Sequence, residues 1–470
     1  MRRLGVSDAG WLLVEQPDRP MHVGGLLLFD PPPDAGPGFL RERLVEPARS
    51  FDVRWPFNQR LARPYGRAGM YHWVTDDAID LDVHLRHLAL PAPGRIRELL
   101  ELVSASHSTL LDRHRPLWQL TLVEGIEDGR IAAYAKVHHS MLDGVAAMRQ
   151  LLTSFSTDPD ATDLPPPWAQ GDGARSETRR DAGSGPLATA MELARESIGE
   201  AASLTGLTRA VGGQLWSASR DSTDALPFRA PRTMLDQPLT GARRYVAQSY
   251  ELDRVRTVAD AFGVTINDVV LCLCSGALRT YLESQGALPE QPLIAMVPVA
   301  IKPAHGEHAG EHAGEQAQGN ALTLLLANLA THEADPVRRL ELIKASMDHG
   351  KQRLRGLDRR ALRDYGLLLA APTLLAQLTR MGGRVRPVHN LTISNVPGPT
   401  ESLYWNGARL SGVYPISLLP DGDALNITQL SYAGSLELGI TAARDQLPQI
   451  QRLIDYIEAS LVELEKAAGA

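Results

Sequence analysis

Lys136-Val137-His138-His139-Ser140-Met141-Leu142-Asp143-Gly144 decides how the rest of the chain is read. Before it, Ile131 to Val137 has strand character: β-branched Ile131 and Val137 and aromatic Tyr134 stand among small residues. After it, Val145, Met148, Leu151 and Leu152 recur at helical spacing, so a helix begins near Asp143-Gly144. Two histidines therefore sit on a loop at the end of a strand, with a carboxylate four residues beyond the second. A rigid strand end fixes where an imidazole points, and imidazole titrates near neutral pH, which suits a general base.

Three readings fit these residue types. The histidines could be structural, satisfied by neighbours in the core. They could hold a metal with Asp143, although no His-Glu-x-x-His or paired-cysteine pattern accompanies them. They could also serve base catalysis. Adjacent residues of an extended chain point to opposite sides, so only one histidine can face a given site. His139 is the expected base and His138 the supporting residue. Asp143 either orients His139 or holds the loop through an arginine elsewhere.

His138-His139-x-x-x-Asp143-Gly144 resembles the His-His-x-x-x-Asp-Gly signature of the CoA-dependent acyltransferase superfamily. Further stretches extend the likeness over nearly the whole chain. They are Pro20-Met21-His22-Val23-Gly24-Gly25, Pro93-Gly94-Arg95, Leu110-Leu111-Asp112, Arg115-Pro116-Leu117-Trp118, Asn267-Asp268 and Ser394-Asn395-Val396-Pro397-Gly398-Pro399. Together they resemble the bacterial bifunctional wax ester synthase/acyl-CoA:diacylglycerol acyltransferases. The resemblance implies two α/β (α+β) domains of the chloramphenicol-acetyltransferase type with a tunnel between them. It implies acyl-CoA as a substrate, with no cofactor, and a fatty alcohol or diacylglycerol as acceptor.

Bulk properties agree with an enzyme of this size. At 470 residues the chain is too long for one ordinary core, and two domains are expected. A formal net charge of -7 gives no reason to expect nucleic acid as a partner. Cys272 and Cys274 are two apart in an apolar segment, so buried free thiols in a reducing compartment are expected. There is no signal-peptide pattern and no uncharged apolar run of the roughly 18–20 residues a spanning helix needs. The expected location is the cytoplasm, at the periphery of the inner membrane or of lipid inclusions.

Taken in order, 1-160 reads as an acyltransferase domain carrying the histidine motif, 161-240 as a Pro/Gly-rich linker with a crossover helix, and 241-470 as a second domain of the same type. In the first part, Leu4 to Glu15 is a short helix capped by Ser7 or Asp8, with Trp11, Leu12 and Val14 as apolar contacts. Val23 to Phe29 and Leu117 to Glu124 are strands, and Arg95 to Leu110 is an amphipathic helix. His84 and His87 are read as structural or solvent-facing. In the second part, Tyr245 to Leu252, Leu293 to Val299 and Asn320 to Ala330 are strands. Strands and helices alternate throughout, the pattern of α/β or α+β architecture.

Four features of the second half bear on function. Asn267 or Asp268 either caps the helix that follows or, for Asn267, offers its amide to a developing oxyanion. The repeat at Gly306 to Ala317 reads as a solvated loop without chemistry. The apolar stretch Tyr365 to Leu378, interrupted by Pro372 and flanked by arginines, is either core or a segment dipped into lipid. Asn395 to Pro399 is a rigid turn, its prolines fixing φ and Gly398 supplying freedom.

The expected reaction is direct transfer through a ternary complex. His139 takes the alcohol proton, and Asn267 is a candidate oxyanion donor. No Gly-x-Ser-x-Gly elbow supplies a serine nucleophile. The alternatives are an acyltransferase fed by a carrier protein and a non-catalytic lipid-surface binding protein.

Overall fold

The structure, a computed structural model, describes residues 2–62, 71–170, 225, 227–301, 321–355 and 359–469. The crossover helix and the Gly306 to Ala317 repeat expected from the sequence lie outside these residues.

Two six-stranded mixed sheets organise the chain. The first is built on β1 (His22–Asp30), β2 (Leu85–Ala89), β3 (Trp118–Glu124) and β4 (Ile131–His138). The second is built on β5 (Arg243–Glu251), β6 (Ile294–Ile301), β7 (Ala321–Asn328), β8 (Leu391–Pro397), β11 (Leu425–Tyr432) and β12 (Ser435–Ala443). Between β8 and β11 the chain leaves the second sheet. There β9 (Tyr404–Trp405) and β10 (Ala408–Ile416) form the far edge of the first, in the order β9-β10-β1-β4-β3-β2. The halves by residue number are therefore not the halves by sheet. Sequence reading found no strand at 408–416.

Central strands here are apolar on both faces. In β1 only Gly24 and Asp30 are less than fully buried, and in β4 only Ala135. Such strands need cover on both sides. For the first sheet, α3 (Gly144–Leu152) lies across one face, where Met148 and Leu151 join Val23, Leu27, Val137 and Trp118 in one core. On the other face α2 (Ile96–His107) packs, and the cluster of Leu26, Tyr134 and Val103 reaches Tyr245 of the second sheet. Ser104 Oγ accepts the Tyr245 N–H at 2.9 Å and Tyr245 donates its hydroxyl to the Pro415 carbonyl, so α2 and β10 join the two sheets.

In the second half, α4 (Leu252–Phe262), α5 (Ile266–Ser284), α6 (Pro336–Arg355) and α8 (Leu453–Ala468) enclose one large core on their sheet. Cys272 and Cys274 are buried free thiols in α5, and burial pushes both above the ordinary thiol range, to about 11 and about 12. The apolar stretch of the sequence is α7 (Arg359–Leu378), which continues through Pro372.

Two local expectations are corrected. The N-cap of α1 (Val6–Val14) is Gly5, with Asp8 in the first turn, so neither Ser7 nor Asp8 caps it. Asn395 to Pro397 is strand rather than turn, pairing in parallel with Gln429 to Ser431. Pro397 is tolerated at the last position of β8, and Gly398 follows because a Cβ there would lie 2.3 Å from the Ser431 carbonyl oxygen. Val396 of this motif packs against the core of the first half.

Candidate active site

Because β1 and β4 are neighbours, His22 pairs opposite His138, and the Pro20 to Gly25 motif runs beside the histidine loop. The chain leaves β4 at His138, and two backbone bonds fix the exit: His138 N–H donates to the Leu117 carbonyl and His139 N–H to the Met21 carbonyl, both at 2.9 Å. Leu117, the middle residue of Pro116-Leu117-Trp118, is fully buried. Trp118 donates its indole N–H to the Phe57 carbonyl at 2.8 Å and stacks between His84 and Trp168. This motif thus supports the histidine strand from below. His84 is a buried structural histidine, its Nδ1 2.8 Å from the Trp118 carbonyl oxygen, and His87 pairs with Glu124.

The two histidines have different surroundings. His138 is fully enclosed. Its Nδ1 accepts from the Ser140 N–H at 3.1 Å, so the proton of the neutral ring belongs on Nε2. Nε2 stands 3.2 Å from Glu15 Oε1, within ion-pair reach though not aligned as a full hydrogen bond. His139 is half-buried, and the Trp11 ring lies against it with centroids 4.2 Å apart. Burial pulls its imidazole down to about 4; the Asp143 charge opposes the fall and His138 adds to it.

Glu15 was not foreseen as a site residue. Its carboxylate is almost completely buried, yet it is held below the usual carboxylate range. Burial alone would raise it, and His138, Arg113 and the Met21 N–H outweigh that effect. Arg113 donates to Glu15 Oε2 at 2.9 Å and to the Leu12 carbonyl at 2.9 Å. Met21 N–H donates to Oε1 at 3.2 Å, while the carbonyl of the same residue holds His139. One carboxylate therefore braces both histidines. The sequence carries a signal for it, a single acidic residue closing the apolar run Trp11-Leu12-Leu13-Val14, but its partners are distant in the chain.

Asp143 is the N-cap of α3: its carboxylate accepts the Ala146 N–H at 2.7 Å. It is exposed and no arginine partner was found among the described residues, so its tie to His139 is electrostatic rather than a contact. Gly144 is the first residue of that helix. In α5 the cap is Thr265, and Asp268 completes a capping box, its carboxylate accepting the Thr265 N–H at 3.0 Å. Asn267 is half-buried in that first turn, and among the described residues no hydrogen bond, ion pair or ring contact joins it to the histidine loop. Asn395 and Pro397 are exposed at the end of β8. Also among the described residues, no group of three His, Cys, Asp or Glu side chains could hold a metal ion.

Buried neutral histidines make stability depend on pH. Burial lowers His22 well below its ordinary value, and burial with Lys136 and Arg243 takes His107 to about 3. With His139, these groups bind fewer protons folded than unfolded between pH 6.5 and about 3. Their contribution to stability therefore falls as pH drops through that window, while Asp236 and Glu437, which burial raises to about 7, contribute in the opposite direction. The expected result is that His107→Gln loses less melting temperature between pH 7 and pH 4 than the unaltered protein does, measured by calorimetry; parallel profiles would contradict it.

Comparison with known proteins identifies the family of the chain. Residues 4–270 match the wax ester synthase/diacylglycerol acyltransferase catalytic domain, and residues 318–465 match the C-terminal domain of the same enzymes. A probable diacylglycerol O-acyltransferase of Mycobacterium tuberculosis is 43% identical over 463 residues, covering 98% of both chains. An O-acyltransferase of Acinetobacter baylyi is 41% identical, covering 98% of this chain and 96% of its own. The wax ester synthase/diacylglycerol acyltransferase of Marinobacter aquaeolei superposes with a TM-score of 0.80 at 39% identity, over 100% of each chain. A condensation domain of the CDA synthetase shares the fold at 16% identity and a TM-score of 0.53. With two matched domains and full-length relatives above 40% identity, the chain belongs to the wax ester synthase/diacylglycerol acyltransferase family.

Proposed function

We propose that the chain transfers a long-chain acyl group from acyl-CoA to the hydroxyl of a fatty alcohol or a diacylglycerol, with His139 as general base. The observation that carries this is the pairing of one locked histidine with one half-exposed histidine at the end of β4. His139 is kept neutral by burial and positioned through the Met21 carbonyl and the Trp11 ring.

The reaction balances on this chain's residues alone. His139 accepts the hydroxyl proton as the oxygen attacks the thioester carbonyl. The tetrahedral oxyanion collapses, the C–S bond breaks, and the leaving thiolate takes the proton back from the imidazolium. The products are an ester and free CoA. A thioester is already activated, so no acyl-enzyme is needed. The test is CoA release from palmitoyl-CoA by purified protein, with hexadecanol and separately with dipalmitoylglycerol. Release that depends on the acceptor supports the proposal. No release with either, in the presence of vesicles, would transfer the weight to a carrier-protein donor or a binding module.

The proposal extends to a peripheral seat on the cytoplasmic face of a membrane or on a lipid inclusion, where such acceptors partition. No helix among the described residues is long and apolar enough to cross a membrane. What supports a surface seat is the end of α7, where Leu375, Leu378, Met381 and Val385 are exposed beside exposed Arg380, Arg384 and Arg386. Apolar groups flanked by arginines suit an anionic interface. The same helix buries Leu374 against Val14 and Met21, next to the histidine loop. Leu375→Ser with Leu378→Ser is expected to weaken binding to phosphatidylglycerol vesicles by about tenfold or more, since each side chain is worth about 1.5 kcal/mol or more when buried. Unchanged co-sedimentation would remove this surface from the proposal.

A further inference from the structure

The C-terminal half of α2 is bonded to both sheets at once. On one side lies β5, the last strand of the second sheet, whose outward N–H groups have no further strand to bond. Ser104 Oγ accepts the Tyr245 N–H and Ser108 Oγ accepts the Arg243 N–H, both at 2.9 Å. The match is one of spacing. Residues four apart on a helix rise about 6 Å and residues two apart on a strand about 7 Å, so one helical turn spans the two N–H groups. Each serine donates its own proton inside the helix, to the Leu100 carbonyl at 2.6 Å and the Ser104 carbonyl at 2.7 Å, which leaves its lone pairs for the strand.

On the other side, the last carbonyls of α2 meet the strands that carry the histidines. Lys136 Nζ donates to the Ser106 and Thr109 carbonyls, both at 2.9 Å, and His22 Nε2 donates to the His107 carbonyl at 2.7 Å. The unpaired carbonyls and negative dipole end of a helix favour such donors, a cation above all. Lys136 and His22 are buried. Lys136 lies two residues before His138 on the same face of β4, and His22 pairs opposite His138. A displacement of α2 is therefore passed to the strand ends from which the histidine loop leaves.

We infer that Ser104, Ser108 and Lys136 are positioning residues: through α2 they fix how far the histidine loop stands from the second half. The inference rests on the acyltransferase reading. The spacing matters because residues of the second half lie around the loop. Met141 and Leu142 pack against the core that takes in Leu430 and Tyr432 of β11. Trp11, which lies against His139, and Leu418 both pack on the small cluster of Val14, Met21 and Leu374. A substrate held between these groups and His139 loses rate steeply when the two are displaced, by about a hundredfold for roughly 1 Å.

Ser104→Ala with Ser108→Ala removes the acceptors and puts a good helix former at both places. The kcat for CoA release from palmitoyl-CoA with hexadecanol should fall about ten- to a hundredfold, while KM for each substrate stays within about threefold. Ser108→Thr, which keeps the hydroxyl at a half-buried position, should retain the kcat that Ser108→Ala loses. Lys136→Met cuts the link on its other side. Because α2 passes the spacing only while both sides hold, the triple variant should lose no more than the worse of its parents, rather than the product of two losses. Rates are taken below the melting transition of each variant. Unchanged kcat in the folded Ser104→Ala/Ser108→Ala protein, an equal loss in Ser108→Thr, or multiplied losses in the triple variant would each overturn the inference. If Lys136→Met does not fold, the serine variants decide. Absence of turnover by the unaltered protein with hexadecanol and with dipalmitoylglycerol would instead overturn the acyltransferase reading itself.

Discussion

His139→Ala is expected to lower kcat/KM by about 10²–10⁴, the usual contribution of a positioned general base. The protein should remain folded, because the side chain is half-buried and its structural bond is made by the backbone N–H to Met21. Binding of acyl-CoA should persist, as the loss falls on proton removal from the acceptor. His138→Ala should behave differently. That ring fills a fully enclosed site between Ser140 and Glu15, so its loss should appear first as lower stability. Steady-state kinetics and thermal melts on both variants separate the two. Near-normal turnover in His139→Ala would remove it as the base, and equal, purely kinetic losses at both positions would undo the division of labour. The pH profile supplies a further check. With His139 held neutral down to about 4, kcat/KM in the unaltered protein should keep its plateau below pH 6.5, as far as the protein stays folded.

Glu15→Ala should give the largest loss of stability. It strips the partner from Arg113, from His138 and from the Met21 N–H in one step; Glu15 and His138 are enclosed, while Arg113 reaches solvent in part. Breaking a buried ion pair from one side typically costs about 3–5 kcal/mol, because the remaining charge is left without compensation. Turnover should fall with it, since Met21 also positions His139 through its carbonyl. Glu15→Gln keeps the shape and one acceptor oxygen and should recover part of the stability. Denaturant unfolding of both variants checks the order. A Glu15→Ala protein with unchanged unfolding midpoint and normal turnover would show that the brace is dispensable.

How much of this was legible in the chain follows from how local each signal is. The strand ending at His138 and the helix starting at Gly144 could be read because alternation, helical spacing and an Asp cap act within a few residues. The motifs around Pro116-Leu117-Trp118 and Asn267-Asp268 were enough to mark the family. Their physical roles were not: Leu117 proved to hold His138 through a carbonyl, and Asp268 proved to be half of a capping box.

By itself, then, the sequence determined the two-domain mixed α/β class, the strand-loop-helix that carries the histidines, and the resemblance to acyltransferases. Only the tertiary structure decided that Ala408–Ile416 crosses to the first sheet, that Glu15 and Arg113, 98 residues apart, meet over His138, and that the Met21 carbonyl holds the His139 N–H. Periodicity and capping depend on neighbours along the chain. Sheet partners, buried ion pairs and cavities depend on which distant segments burial brings together, and no local pattern encodes that choice.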